Sequence, residues 1–449
     1  MKNISIDTFV ATEIFMKRTE FIICPILLTF LLFLTTAALA QGEAMRLKRS
    51  ASEAVEEAHR ALWSKFVDRH GIILDFIGEI PTPQDCATGK PNALGWFCPI
   101  ENGPMFTGLY LPAACERARR SGASADKDNA RKLAQGLLKC ASVSDVPGMI
   151  VRGMATDGQS HYPLGSDDQT HPWFLGLHAY WKSGIPSAAE KAEIVRKVKE
   201  VADVLDKNGW KCPCDGSFKG QFRGGFKGEL FRDAARYLFM LKAVHEMTGD
   251  PVWLERYTRA QTERPGKRGL TRLEICAAGY GPDIEFLKWN RRAWPHWNWI
   301  FVGSQASLRQ LAGMETDATI KAQFQAGLAA GAREALTGIA ECVKFDNNDT
   351  KTFGSANWRQ VYSKWVPQKT QAEAMKLSES GDNKKKGERD GYEHQFMNAP
   401  LAAAAIVALA GDPARRDAVE RAICHYDYQK IYGSRFFFAE CAYYAFPQD

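Results

Sequence analysis

From residue 105 onward the chain alternates two kinds of apolar pattern, and this alternation limits the fold more than any other feature. A polar loop bearing Gly or Trp leads into a segment rich in Ala, Gly, Phe and Tyr. A short turn follows, then a segment with one charged face. The spacing predicts the helix pairs Met105–Arg120 with Asp126–Ala141, Thr170–Lys182 with Ala188–Asp206, and Gly228–Met247 with Pro251–Ala260. Two more pairs are Trp297–Gly313 with Asp317–Ala340 and Glu393–Leu409 with Pro413–Ile423, and a last helix is expected over Phe436–Tyr444. A helix that is apolar nearly all round has to be packed on every side, whereas a charged face has to meet water. The first helix of each pair is therefore an inner helix and the second an outer one. Gly stops and Asp or Pro starts punctuate the turns, as in Thr248-Gly249-Asp250-Pro251 and Gly411-Asp412-Pro413. Hairpins recurring roughly every 60 residues predict a closed double ring of helices rather than an open solenoid.

Ahead of the hairpins, Ala51–Arg69 reads as an amphipathic helix, and residues 71–103 form an irregular excursion rich in Pro, Gly and Cys. The whole plan resembles the (α/α) toroid shared by many polysaccharide lyases and by six-hairpin glycosidases, over most of residues 100–446. The resemblance implies an all-α fold, an (α/α)6-7 toroid, with a catalytic domain over residues 101–449. Residues 41–100 then make an N-terminal helix and a Cys/Pro-rich segment.

One stretch points to the ligand. Trp289 to Trp299 reads W-N-R-R-A-W-P-H-W-N-W, which places four indoles among two arginines, two asparagines and a histidine. Indole faces stack on the C–H faces of pyranose rings, and a guanidinium grips a carboxylate with two parallel hydrogen bonds. The mixture suits an acidic polysaccharide or oligosaccharide, with Arg291, Trp294, Trp297 and Trp299 as binding groups.

In a ring of hairpins the loops entering the inner helices meet at one end, and here they are loaded. They carry Glu101-Asn102-Gly103, then Tyr162 and Ser166-Asp167-Asp168-Gln169-Thr170-His171-Pro172-Trp173. Arg223 and Lys227 follow among glycines, and Tyr392-Glu393-His394-Gln395 with Asn398 close the set. Eliminating a uronate linkage needs the carboxylate neutralised, a base for the adjacent proton, and an acid for the leaving oxygen. Arg292 and Asn298 suit the first task. His171, His296 and His394 are candidates for the base, and Tyr162 and Tyr392 for acid or base. Asp167, Asp168, Trp173 and Arg223 are expected to bind substrate. His178, seven residues after His171 and on the same face, reads as a core residue. Helical-toroid alginate lyases gather Asn, His, Tyr and Trp in one motif. His296-Trp297-Asn298-Trp299 is similar to it, with a different order and no tyrosine.

The competing chemistry is hydrolysis, which needs two carboxylates about 5–9 Å apart across the bond. Asp168 with Glu393 or Glu229 are the expected pairs, including in a hydrolase of unsaturated uronyl ends. A non-catalytic glycan-binding protein is the third reading. The sequence favours elimination, because His, Tyr, Asn and Arg outnumber carboxylates in these loops.

Several classes are excluded or unsupported. The glycines at 220–228 lack the strand and Gly-Lys-Ser/Thr of a phosphate loop. There is no His-Glu-x-x-His or comparable metal spacing and no Gly-x-Ser-x-Gly elbow, so no cofactor or catalytic metal is implied. A net charge of +6 favours acidic partners but is too small to argue for nucleic acid. Lys17-Arg18, the uncharged run from Phe21 to Leu34 and the ending Ala38-Leu39-Ala40 match a secretory signal over residues 1–40. The chain is thus expected to be periplasmic or secreted, with no membrane segment beyond the signal. The ten cysteines after Cys24 permit disulfides in such a compartment, most usefully among Cys86, Cys98 and Cys115 in the irregular region.

Overall fold

The computed structural model describes residues 49–287, 298–349, 358–359, 365–379 and 388–447. Residues 49–449 form one compact unit, and the segment expected to be a secretory signal, residues 1–40, lies outside the described residues. The fold is mostly helical, as the alternation predicts.

The elements needed below are α1 (Ala51–Lys65), α2 (Pro83–Thr88), α3 (Gly103–Ser121), α4 (Ser124–Cys140), α5 (Asp167–Lys182) and α6 (Ala188–Lys207). A short hairpin of β1 (Lys211–Pro213) and β2 (Phe222–Gly225) precedes α7 (Phe231–Thr248), α8 (Pro251–Thr262), α9 (Arg272–Ala278) and α10 (Gly281–Phe286). Then come α11 (Trp299–Met314), α12 (Ala318–Ile339), α13 (Gln371–Glu379), α14 (Glu388–Glu393), α15 (Ala399–Leu409), α16 (Arg416–His425) and α17 (Phe438–Ala445).

The packing follows the division into apolar and amphipathic helices. Helix α3 packs on α5, α5 on α7, α7 on α11, α11 on α15, α15 on α17, and α17 returns to α3. Against this circuit lie α4, α6, α8, α12 and α16, each touching the inner helix that precedes it in the chain, and α1 packs on α16 and α17. Every residue of α15 from Ala399 to Ala408 is buried, whereas α6 buries only the stripe Ile194, Lys197, Val198, Val201, Ala202 and Leu205. The turn chemistry is realised. Gly249 takes φ +69° to end α7, and the Asp250 carboxylate accepts from Val252 N to begin α8 at Pro251. Asp317 caps α12 through Thr319 N and Ile320 N, and Ser187 with Glu190 forms a reciprocal capping box on α6.

Helices α3 and α5 touch backbone to backbone. A Cβ on Gly108 would stand 2.0 Å from the Pro172 carbonyl oxygen, and one on Gly176 would stand 2.9 Å from the Gly108 Cα. Only glycine permits that approach, and it sets the first two loaded loops side by side.

Three expectations are corrected. The helix expected over Glu393–Leu409 is interrupted: α14 ends at Glu393, His394–Asn398 form a π-helical turn, and α15 begins at Ala399. The chain also forms the β1–β2 hairpin around Cys212-Pro-Cys214, which the helical reading omitted. The ten described cysteines are all free thiols. In place of a disulfide staple, the excursion is held by a satellite cluster of Leu74, Phe76, Cys86, Cys98, Ile100, Tyr162 and Tyr432.

Candidate functional site

The loaded loops meet. Beginning at the entry to α3, Asn102 donates through its backbone N and its Nδ2 to the two carboxylate oxygens of Asp75, each at 2.7 Å. Gln169, in the first turn of α5, donates from Nε2 to Asn102 Oδ1 at 3.2 Å. Its neighbours Asp167 and Asp168 face Arg236 of α7, whose Nη1 lies 3.4 Å and 3.0 Å from them. The Nη2 of Arg236 donates to Ile300 O, in the first turn of α11, at 3.3 Å. Trp299, which opens α11, meets His394 edge to face at 5.9 Å between ring centroids. Arg435, on the approach to α17, donates to His394 Nδ1 at 2.9 Å and reaches within 4.0 Å of Asp75. The chain of contacts therefore returns to its start and touches the entry of all six helices of the inner circuit.

A small cleft opens within this set, lined by Asp75, Glu101, Asp390, Glu393, His394 and Arg435 among others. His394 Nδ1 receives both Arg435 and the Asn398 amide, the latter at 3.2 Å. A guanidinium only donates, so Nδ1 carries the lone pair and a neutral ring holds its proton on Nε2. The Oδ1 of Asn398 is buried and has no hydrogen-bond partner among the described residues. The π-helical turn lets this happen: its wider winding puts His394 and Asn398 on one side, and such turns recur at functional sites.

The electrostatics divide the carboxyl groups into two kinds. Burial, reinforced by the charge of Glu101, pushes Asp75 up to about 7. Burial and the neighbouring Asp168 push Asp167 up to about 6. Asp168 is also penalised by burial, but Arg236 and Arg232 outweigh that and hold it below the usual carboxylate range. Its side chain remains 39% exposed, against 4% for Asp75. One end of the inner helices thus offers an ionised, accessible carboxylate and a carboxyl group that keeps its proton near neutrality.

The expected site residues fall into four groups. His394, Asn298, Trp299, Asp167, Asp168, Arg223 and Tyr392 lie at or near the helix entries. Among them Asn298 is buried, with its Oδ1 accepting from Tyr280 at 3.1 Å. The Tyr392 hydroxyl is engaged by the Asp346 amide and by Lys344 O at 3.3 Å. A second group is buried in the core. His171 has no exposure; its Nε2 bonds the Ser307 hydroxyl at 2.7 Å, its ring edge meets Phe239, and burial pushes it well below the ordinary histidine value. Tyr162 is buried with its hydroxyl on Lys90 O, and burial pushes that hydroxyl well above its ordinary value. Trp173 is buried with Nε1 on Leu137 O at 2.7 Å, so neither indole face meets solvent. Third come the expected hydrolytic partners: Glu393 accepts from Tyr432 N and Gly433 N at 2.8 and 2.7 Å and lines the same cleft as Asp75, and Glu229 lies under Gly266 and Arg268. Fourth, Arg291, Arg292, Trp294, His296 and Trp297 lie outside the described residues.

Sequence reasoning missed Asp75, Arg152, Arg236 and Arg435. Arg435 obeys the helix-entry rule and would have been found by applying it to the last helix. Asp75 sits in the irregular excursion, where no periodicity marks it. Comparison with protein-family models, curated proteins and solved structures finds no match to this chain.

Proposed function

We propose that this chain is an exported glycan-active enzyme with an (α/α) toroid catalytic domain, and that it cleaves an acidic polysaccharide or oligosaccharide. The closed circuit of inner helices and the outer helices laid against it support the toroid. The reaction the described groups support best is hydrolysis. The observation that carries this is the unlike setting of two carboxyl groups at one end of the circuit: Asp75 is buried against Asn102, whereas Asp168 is partly exposed and paired with Arg236, and environments that push two carboxyl groups apart mark an acid and its partner base. In this reading Asp75 gives its proton to the leaving glycosidic oxygen, and ionised Asp168 activates water or meets the cationic sugar ring directly. Arg236 keeps Asp168 ionised, and the Asn102–Gln169 contacts tie Asp75 to the first turn of the helix that carries Asp168.

Elimination remains a second reading, favoured by one specific arrangement. His394 stands between Arg435, Asn398 and the edge of Trp299, and a guanidinium beside an amide suits a uronate carboxylate. Arg292 and His296 belong to this reading through the sequence alone. Two core assignments weigh against it, since His171 and Tyr162 present nothing to a substrate.

The test is to mix the mature chain with alginate, glucuronan, pectate and glycosaminoglycans. New reducing ends would be assayed beside the ultraviolet absorbance of an unsaturated uronate. Reducing ends without that absorbance, abolished by Asp168→Asn and by Asp75→Asn, are expected. Rising absorbance would overturn hydrolysis in favour of elimination. Binding without either product would leave a non-catalytic glycan-binding protein. Export is tested by whether the N-terminus of the recovered protein begins after Ala40. Among the described residues no helix is long and apolar enough to cross a membrane.

A further inference from the structure

Arg152 is a buried cation with no ion-pair partner among the described residues. It is 3% exposed, and its guanidinium donates to neutral acceptors: Leu164 O at 3.1 Å, Glu101 O at 3.0 Å and Ser166 Oγ at 3.2 Å. It therefore ties the entry of α3 to the entry of α5 while its charge stays uncompensated at close range. Burying a charge this way is costly unless something completes the site. A second arginine is close by. Arg223, on β2, also forms no ion pair among the described residues, and its guanidinium lies over the Trp96 ring, 5.3 Å from the centroid. The residue after it, Gly224, is pressed against the Asp167 carboxylate, where a Cβ would stand 2.1 Å from Oδ1. Arg223 is thus anchored beside the Asp167–Asp168 pair. The two cations feel each other: burial, with the Arg223 charge second, lowers Arg152 to about 10.

Trp96 is held in place. Its backbone N donates to Asn92 Oδ1 at 3.1 Å, and its O accepts from Asn92 Nδ2 at 2.9 Å. The next residue, Phe97, adopts φ +73°, a left-handed conformation that is strained for a bulky side chain. The Phe97 amide is captured by Glu101 Oε2 at 2.7 Å, which maintains the strain from the cleft side. A half-buried indole, a stacked guanidinium and a buried guanidinium then share one edge of the loaded end.

We propose that Trp96, Arg223 and Arg152 form the subsite that reads the negative charge of the substrate, with the sugar ring beside the indole and its anionic group between the arginines. This rests on the reading of the chain as glycan-active and names the group recognised: a sugar carboxylate or sulfate ester. Arg223 is the discriminating contact, and Arg152 supplies fixed positive potential from behind. The hydrolytic groups Asp75 and Asp168 are outside the subsite.

Monosaccharides separate binding from turnover, because they contain no glycosidic bond. Calorimetric titration of the wild type with glucuronate, galacturonate, mannuronate, the matching neutral sugars and glucose 6-sulfate is the experiment. At least one anionic sugar is expected to bind tenfold or more tightly than its neutral counterpart. Arg223→Gln is expected to erase that ratio, Arg223→Lys to keep part of it, and Trp96→Ala to weaken anionic and neutral sugars alike. A preference for the sulfate over every uronate would assign the subsite to sulfate esters. An anionic preference unchanged in Arg223→Gln, or none in the wild type, would overturn the proposal even if polymers are cleaved. An Arg223-dependent preference in a protein that cleaves nothing would instead keep the subsite and remove the hydrolase.

Discussion

Asp75 makes the protonation argument measurable without a substrate. Its carboxyl is raised from an ordinary 3.8 to about 7, so between those values the folded protein holds a proton that the unfolded chain has lost. Stability then falls as pH rises, and the contribution of the group is gone above the folded value. Worked through, the raised group adds on the order of 2–3 kcal/mol to folding at pH 5 and almost nothing at pH 8. Asp75→Asn removes this titration. It also disturbs the two bonds from Asn102, since an amide offers one acceptor where the carboxylate offered two; that costs on the order of 1 kcal/mol at every pH. The readout is consequently a double difference. Urea unfolding of wild type and Asp75→Asn at pH 5 and pH 8 should show the wild type losing on the order of 2–3 kcal/mol more than the variant over that interval. Asp167 and Asp283, both raised to about 6 with burial as the first cause, have the same sign but occur in both proteins and cancel. Parallel pH dependences for the two proteins would refute the raised value, and with it the assignment of Asp75 as proton donor.

If Asp75 is the donor, turnover of whichever polymer is cleaved should fall about tenfold per pH unit once pH exceeds about 7, read from initial rates across a pH series. His171→Ala should lower stability by about 2–4 kcal/mol through a cavity and the lost Ser307 bond. Its folded fraction should keep specific activity within a few-fold, and a thousand-fold loss would return His171 to the reaction. Gly224→Ala forces a Cβ to within 2.1 Å of Asp167 Oδ1 at φ +74°, so a drop of roughly 1–3 kcal/mol in urea unfolding and weakened uronate binding are expected together. Arg236→Ala should raise the apparent pKa of Asp168, seen as an acid limb of the pH–rate profile displaced to higher pH.

The helical plan was readable because its signals are local. Gly249 before Asp250-Pro251, and Asp317 ahead of a helix, do their work within three or four residues of where they stand, and the structure uses them that way. The gathering of helix entries was also readable, since alternating inner and outer helices bring like ends together. What sequence pattern does not carry is the partner from a distant loop. Asp75 and Arg435 meet across 360 residues of chain, and Arg152 reaches Glu101 and Ser166 from a segment without period.

The burial of His171 and Trp173 runs against the expectation that they face substrate, and the sequence held the means to foresee it. His178 lies two helical turns after His171, so the two rings share one face of α5. His178 read as core, and it is: no part of it is exposed, Phe239 meets its ring, and its Nε2 bonds Glu246 at 2.6 Å. The same Phe239 meets His171. A face that is core along a doubly packed helix stays core until the helix emerges from its neighbours, which α5 does at Asp168 in its first turn and at Trp181 and Lys182 in its last. Gly108 and Gly176 bring α3 and α5 to backbone contact around Pro172, and in the first turn of α5 only Asp168 is left partly exposed. In this inner helix the aromatic and imidazole side chains one turn beyond Asp168 are enclosed by the neighbouring helices, whatever their reactivity in water.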